Sequence, residues 1–134
     1  MQNIQRSLVQ QHGGIDKLCK YAAKTGQLDI LQWAHQNNYL SNEETLYIIP
    51  IEAAKHGHLH VLKYFKDNNL EIYVYICIKK AAKNGFFHII EWLHQNGCDP
   101  NNNQEKGWAC CYAASGGHLH ILQWLRNHGY QWDH

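Results

Sequence analysis

An all-α solenoid of stacked helix-turn-helix units is the fold class this sequence predicts, and two observations carry it. The stretch AAKTGQLDILQWA from Ala22 returns as AAKHGHLHVLKYF from Ala53, AAKNGFFHIIEWL from Ala81 and AASGGHLHILQWL from Ala113, with starts 31, 28 and 32 residues apart. Self-similarity at such a period marks a repeat array in which each unit buries its apolar face against its neighbours. Each copy also reads Ala-Ala-x-x-Gly, then an apolar residue, an apolar pair and an aromatic residue, which is the spacing of a helix, a tight turn and a second helix.

Within each unit the alanine pair lets two helices approach closely, and Gly26, Gly57, Gly85 and Gly117 can end the first helix at positive φ. In the second helix Leu28, Leu31 and Ala34, or Leu59, Leu62 and Phe65, recur every three residues with Ile30 or Val61 beside them, a broad apolar stripe. Twelve residues past each glycine stands Asn38, Asn69, Gly97 or Gly129, the types that tolerate a left-handed helix end. Residues 1–13 read as the second helix of a half repeat acting as N-terminal cap, followed by repeats at about 14–44, 45–72, 73–104 and 105–134. LEIYVYICI, residues 70–78, has strand-like content, but the repeat register places a first helix from Tyr73 to Lys83. The short interval between the second and third repeats predicts a notch in the row of loops, whereas CDPNNNQEKG at 98–107 suits a full projecting loop.

The pattern resembles the ankyrin-repeat family across nearly the whole chain. It departs from that family at the opening of the first helix, where KLCK, IIPI, CIKK and WACC replace Thr-Pro-Leu-His and Pro50 alone sits near the expected proline. Short repeats with tryptophan in the second helix and a GYQWD ending are similar to the ankyrin families expanded in large DNA viruses of amoebae.

Composition narrows the function classes. Twelve Lys and Arg stand against eleven Asp and Glu, so no basic field invites nucleic acid. No apolar run approaches the roughly 20 residues that span a bilayer, and no secretory signal is visible, so no membrane partner is expected. Five irregularly spaced cysteines argue for reduced thiols and a cytoplasmic, reducing location.

The histidines invite a metal reading that the repeat weakens. His58 and His118 follow the turn glycine, where the ankyrin resemblance implies local hydrogen bonding. Asp29, His60, His88 and His120 form a column, yet stacked helices about 8–10 Å apart cannot easily share an ion that holds each nitrogen at about 2 Å. On a helix His58 and His60 would diverge by about 200°. Cys110, Cys111, His118 and His120 remain the strongest zinc alternative, but lack a standard ligand spacing, so no metal or other cofactor is expected. No motif supplies a base for a nucleophilic cysteine, and no enzyme is predicted. Trp33, Tyr64, Trp92 and Trp124 occupy the apolar slot and are expected in the core, with Trp108 and Trp132 outside that column.

The ankyrin resemblance implies a protein-protein interaction module binding through the concave face and loop tips. The two residues after each alanine pair then lie on that face: Lys24 and Thr25, Lys55 and His56, Lys83 and Asn84, and Ser115 with Gly116. The preceding residues Tyr21, Glu52, Lys80 and Tyr112 vary in chemistry, as a recognition surface permits. The column Lys24, Lys55, Lys83 favours an acidic partner segment, or else is simple solvation of an exposed helix. A second class is a structural or self-associating segment, since the last repeat shows no further helix to cover its outer face.

Overall fold

The computed structural model describes residue 10, residues 13–96 and residues 106–130, with side chains from Ala109 in the last stretch. Eight helices run through the described residues: α1 Ile15–Thr25, α2 Leu28–Gln36, α3 Glu43–His56, α4 Leu59–Asp67, α5 Val74–Asn84, α6 Phe87–Gln95, α7 Lys106–Ser115 and α8 Leu119–Asn127. The expected N-terminal half repeat, Gly97, Cys98, most of the 98–107 loop, the Trp108 side chain and Trp132 lie outside the described residues. The odd-numbered helices pack side by side in chain order, and each even-numbered helix packs on the one before it. That is an all-α solenoid of stacked helical hairpins, two helical layers wide, consistent with the ankyrin-repeat architecture that the sequence resemblance implies.

The four turns are alike in detail. Gly26, Gly57, Gly85 and Gly117 have φ of 74°, 84°, 81° and 76°. The next amide reaches back to the first alanine of the pair, from Gln27 to Ala22 and from His58 to Ala53 at 2.8 Å, and from Phe86 to Ala81 and His118 to Ala113 at 2.9 Å. This is a Schellman ending. The second helices α2 and α4 end the same way, with Asn38 and Asn69 at φ 61° and 57°. One residue earlier a side chain caps the helix: the amides of Asn37, Asn68 and Asn96 donate to the carbonyls of Trp33, Tyr64 and Trp92 at 2.8–2.9 Å, and His128 Nδ1 donates to Trp124 at 2.7 Å.

The core explains the paired alanine. Ala53, Ile49, Val61 and Phe65 join the cluster of the first repeat, whereas Ala54 and Leu62 join the cluster of the third and fourth. The first alanine therefore faces the preceding repeat and the second the following one. In the last repeat Ala113 is buried while Ala114 is exposed, and Leu119 is 66% exposed.

Three sequence expectations change. Residues 71–73 are not helical and α5 begins at Val74, one residue later than the register suggested. Pro50 is not at a helix opening but buried inside the 14-residue α3, which starts instead at Asn42, whose side chain accepts from the amides of Glu44 and Thr45. The aromatic column Trp33, Tyr64, Trp92 and Trp124 is half-buried rather than core.

Candidate protein-binding surface

Lys24, Lys55 and Lys83 stand in the last turns of α1, α3 and α5, and all three are exposed. The position has a structural reason of its own. A cation at a helix C-terminus complements the backbone dipole by about 0.3–1 kcal/mol.

The backbone beneath two of these lysines is braced by the next repeat. His58 Nε2 donates to the Lys24 carbonyl at 3.0 Å and His118 Nε2 to the Lys83 carbonyl at 3.1 Å. The hydrogen bonding expected to be local is therefore a staple between repeats. His60 Nε2 adds a bond to the Gly26 carbonyl at 2.8 Å. The rings of His58 and His60 lie 5.8 Å apart rather than diverging, because His58 is the N-cap, with ψ 78°, and not a helical residue.

The other candidate side chains differ in their freedom to bind. Thr25 Oγ1 donates to the Tyr21 carbonyl at 2.8 Å and Asn84 Nδ2 to the Lys80 carbonyl at 2.9 Å, so both are engaged in ending their own helices. Glu52 and His56 sit 3.4 Å apart, one turn along α3, and both are half-buried. Lys80 and Tyr112 are half-buried, Tyr112 against the core, while Ser115 is exposed.

Tyr21, Lys24 and Glu52 come together in one open recess of about 310 Å³ between α1 and α3, with Lys17, Lys20 and Ile48 completing its lining. Sequence reasoning missed these last three. Lys17, Lys20, Tyr21 and Lys24 follow the i, i+3, i+4, i+7 pattern of one helix face, a signal that was available.

A second regularity lies on the second helices. His35 Nδ1 is 2.7 Å from the Tyr64 hydroxyl, with the rings edge to face. At the same position of the next repeat Lys66 Nζ lies 5.9 Å from the Trp92 ring centre and donates to Asn96 Oδ1 at 2.6 Å. His94 packs edge to face on Trp124 with centroids 5.2 Å apart, its Nδ1 3.0 Å from the Tyr130 hydroxyl. The first three repeats thus each cover the aromatic residue of the following one, Tyr64, Trp92 or Trp124, with a polar, nitrogen-bearing side chain.

The cysteines have structural surroundings. Burial pushes Cys19 to about 11 and Cys77 to about 12, and burial with Cys111 nearby raises Cys110 to about 11. Cys110 Sγ donates to the Tyr130 carbonyl at 3.3 Å. Thiols held protonated in this way are poor nucleophiles and poor metal ligands.

Comparison with known proteins agrees with this architecture. Residues 78–126, from within α5 into α8, match the family model described as ankyrin repeats (many copies), which supports the ankyrin-repeat family for this chain. No curated protein and no solved structure matches it. Ankyrin repeats are generally protein-protein interaction modules and generally non-enzymatic. No helix among the described residues is long and apolar enough to cross a membrane.

Proposed function

We propose that this chain is a non-enzymatic interaction module that takes an acidic segment of another protein on its concave, first-helix face. The observation that carries this reading is the recess between α1 and α3, lined by Lys17, Lys20 and Lys24 with Tyr21 and Ile48, where three ammonium groups outnumber the single carboxylate of Glu52. An aromatic ring and an aliphatic side chain supply contact area there, and three ammonium groups supply charge preference. Lys55 and Lys83 extend the same preference across the next two repeats, with Tyr112 and Ser115 at its far end. The module would act in a reducing, cytoplasmic setting, and its short repeats fit the arrays of large DNA viruses of amoebae.

Selection of a random peptide display library against the full chain tests this. Recovered sequences should be rich in Asp and Glu, bind less well as salt rises, and be lost on Lys17→Glu/Lys20→Glu. Recovery of peptides without acidic residues, insensitive to that substitution, would overturn it.

A second reading, self-association through the last repeat, is favoured by one set of positions. Ala114 and Leu119 are exposed, and among the described residues a side chain at Gly117 would meet nothing within 4 Å, where the equivalent Gly26, Gly57 and Gly85 lie under a ring of the next repeat. Light-scattering mass over a range of concentrations decides it: a constant monomer mass rejects self-association, and a rising mass abolished by Leu119→Lys supports it.

A further inference from the structure

An open cleft of about 300 Å³ lies between the second and third repeats, at the opposite end of α3 from its turn glycine. It is lined by Glu43, Leu46 and Tyr47 of α3 and by Leu70, Glu71 and Tyr73 of the following segment, with Phe65 of α4 contributing to its apolar surface. Tyr47 and Tyr73 are 37% and 41% exposed, and their rings meet at 4.7 Å between centroids with planes at 66°. Two large rings left part-exposed at one spot, outside the buried core that stacks the repeats, form an apolar patch open to a partner. The connection from α4 to α5, residues 68–73, is no shorter than that from α2 to α3, residues 37–42, and the 28-residue interval arises instead because α5 has 11 residues where α3 has 14, so the expected notch in the row of loops is not found there.

Charge tells what the cleft accepts. Glu43 and Glu71 are both exposed, and among the described residues neither has an ion-pair partner. Glu43 complements the N-terminus of α3, but Glu71 precedes α5 by three residues and has no such helix to serve. A cation between them would meet two carboxylates and tyrosine rings, with Leu46 and Leu70 available to its aliphatic stem. A planar guanidinium satisfies that set better than an ammonium, because it can stack on a ring while donating in a fork to a carboxylate.

We propose that this cleft is a docking site for an arginine side chain carried by a partner protein. It goes beyond the acidic-segment reading and does not rest on it, since the lysine recess lies between α1 and α3 and shares no lining residue with the cleft. If both hold, a bound partner places its basic residue at the loop end of the solenoid and its acidic residues toward the turn end.

The test is amide NMR of the full chain titrated with N-acetyl-arginine methylamide, and separately with its uncharged citrulline and its lysine counterparts. Saturable shifts confined to Tyr47, Leu70, Glu71, Tyr73 and their neighbours are expected with the arginine compound. The citrulline compound should leave them unmoved, and the lysine compound should bind about two- to fivefold more weakly. Glu43→Gln/Glu71→Gln should abolish the shifts while the melting transition and far-UV dichroism show the chain still folded. Tyr73→Leu, which keeps an apolar side chain there, should weaken binding without moving the spectrum elsewhere. Shifts absent with arginine, equal with citrulline, or unchanged in the double Gln variant would overturn the proposal. Failure of acidic peptides to bind the lysine recess would leave these shifts in place.

Discussion

The imidazole of His58 lies across Gly26 of the preceding repeat while its Nε2 donates to the Lys24 carbonyl at 3.0 Å. One ring thus ties two repeats together and occupies the space a Cβ at Gly26 would need. Phe86 over Gly57 and His118 over Gly85 repeat the packing, and His118 repeats the hydrogen bond.

A Cβ at Gly26 would stand 2.6 Å from His58 Nδ1, on a residue whose φ is +74°. Gly26→Ala should therefore carry a crowding cost and a backbone cost, together of about 1–3 kcal/mol. His58→Ala should cost about 0.5–1.5 kcal/mol through its lost bond. Urea unfolding of the two single variants and the double variant should show less than additive destabilisation, because removing the ring leaves only the backbone cost. Strict additivity would mean the ring and the glycine are not in contact.

Leu62 is fully buried between repeats, while Leu119 on the last repeat is 66% exposed. Leu62→Ala should cost about 2–5 kcal/mol. Leu119→Ala should fall within about 0.5 kcal/mol, as surface substitutions do. Equal losses in thermal unfolding would contradict this assignment of inner and outer faces.

Stability should depend on pH through His94. Burial, and then the neighbouring His128, lower its pKa from the usual 6.5. The unfolded chain consequently takes up this proton first, so the contribution is complete above about pH 6.5 and is lost as pH falls below it. Urea midpoints measured from pH 7.5 down to 5 should decline in the wild type more steeply than in His94→Gln. Parallel profiles would show that His94 titrates alike in both states.

Cys77 is fully buried, and desolvation lifts its thiol to about 12. Iodoacetamide at pH 8 followed by peptide mapping should leave Cys77 unmodified in the native chain and modify it in urea. Half-buried Cys111 should react first of the two. Modification of native Cys77 at the rate of Cys111 would refute its placement.

The legible part of the fold was its period. The alanine pair and the turn glycine are required by local geometry, so each of the four copies announces them, and the left-handed residues Asn38, Asn69 and Gly129 end their second helices for the same reason. The lysines at the ends of α1, α3 and α5 were legible for the same reason, and Lys17 and Lys20 fell on a helical stripe that the repeat comparison passed over. The asparagine caps at Asn37, Asn68 and Asn96 likewise recur in the sequence, but their partners are carbonyls and carry no residue signature.

The sequence by itself determined the helical hairpin, its fourfold recurrence and the buried identity of residues such as Ala53, Leu62 and Phe65. Only the tertiary structure decided that His58 and His60 both turn toward the preceding repeat, that Tyr64, Trp92 and Trp124 are half-buried beneath polar neighbours, and that Tyr47 meets Tyr73 beside two carboxylates. The reason is physical. Helical spacing is written in residues three or four apart, whereas His58 reaches Lys24 across 34 positions and His94 reaches Tyr130 across 36. Such contacts depend on how one repeat is placed against the next, and a shift of an ångström or two between stacked helices chooses which side chains meet.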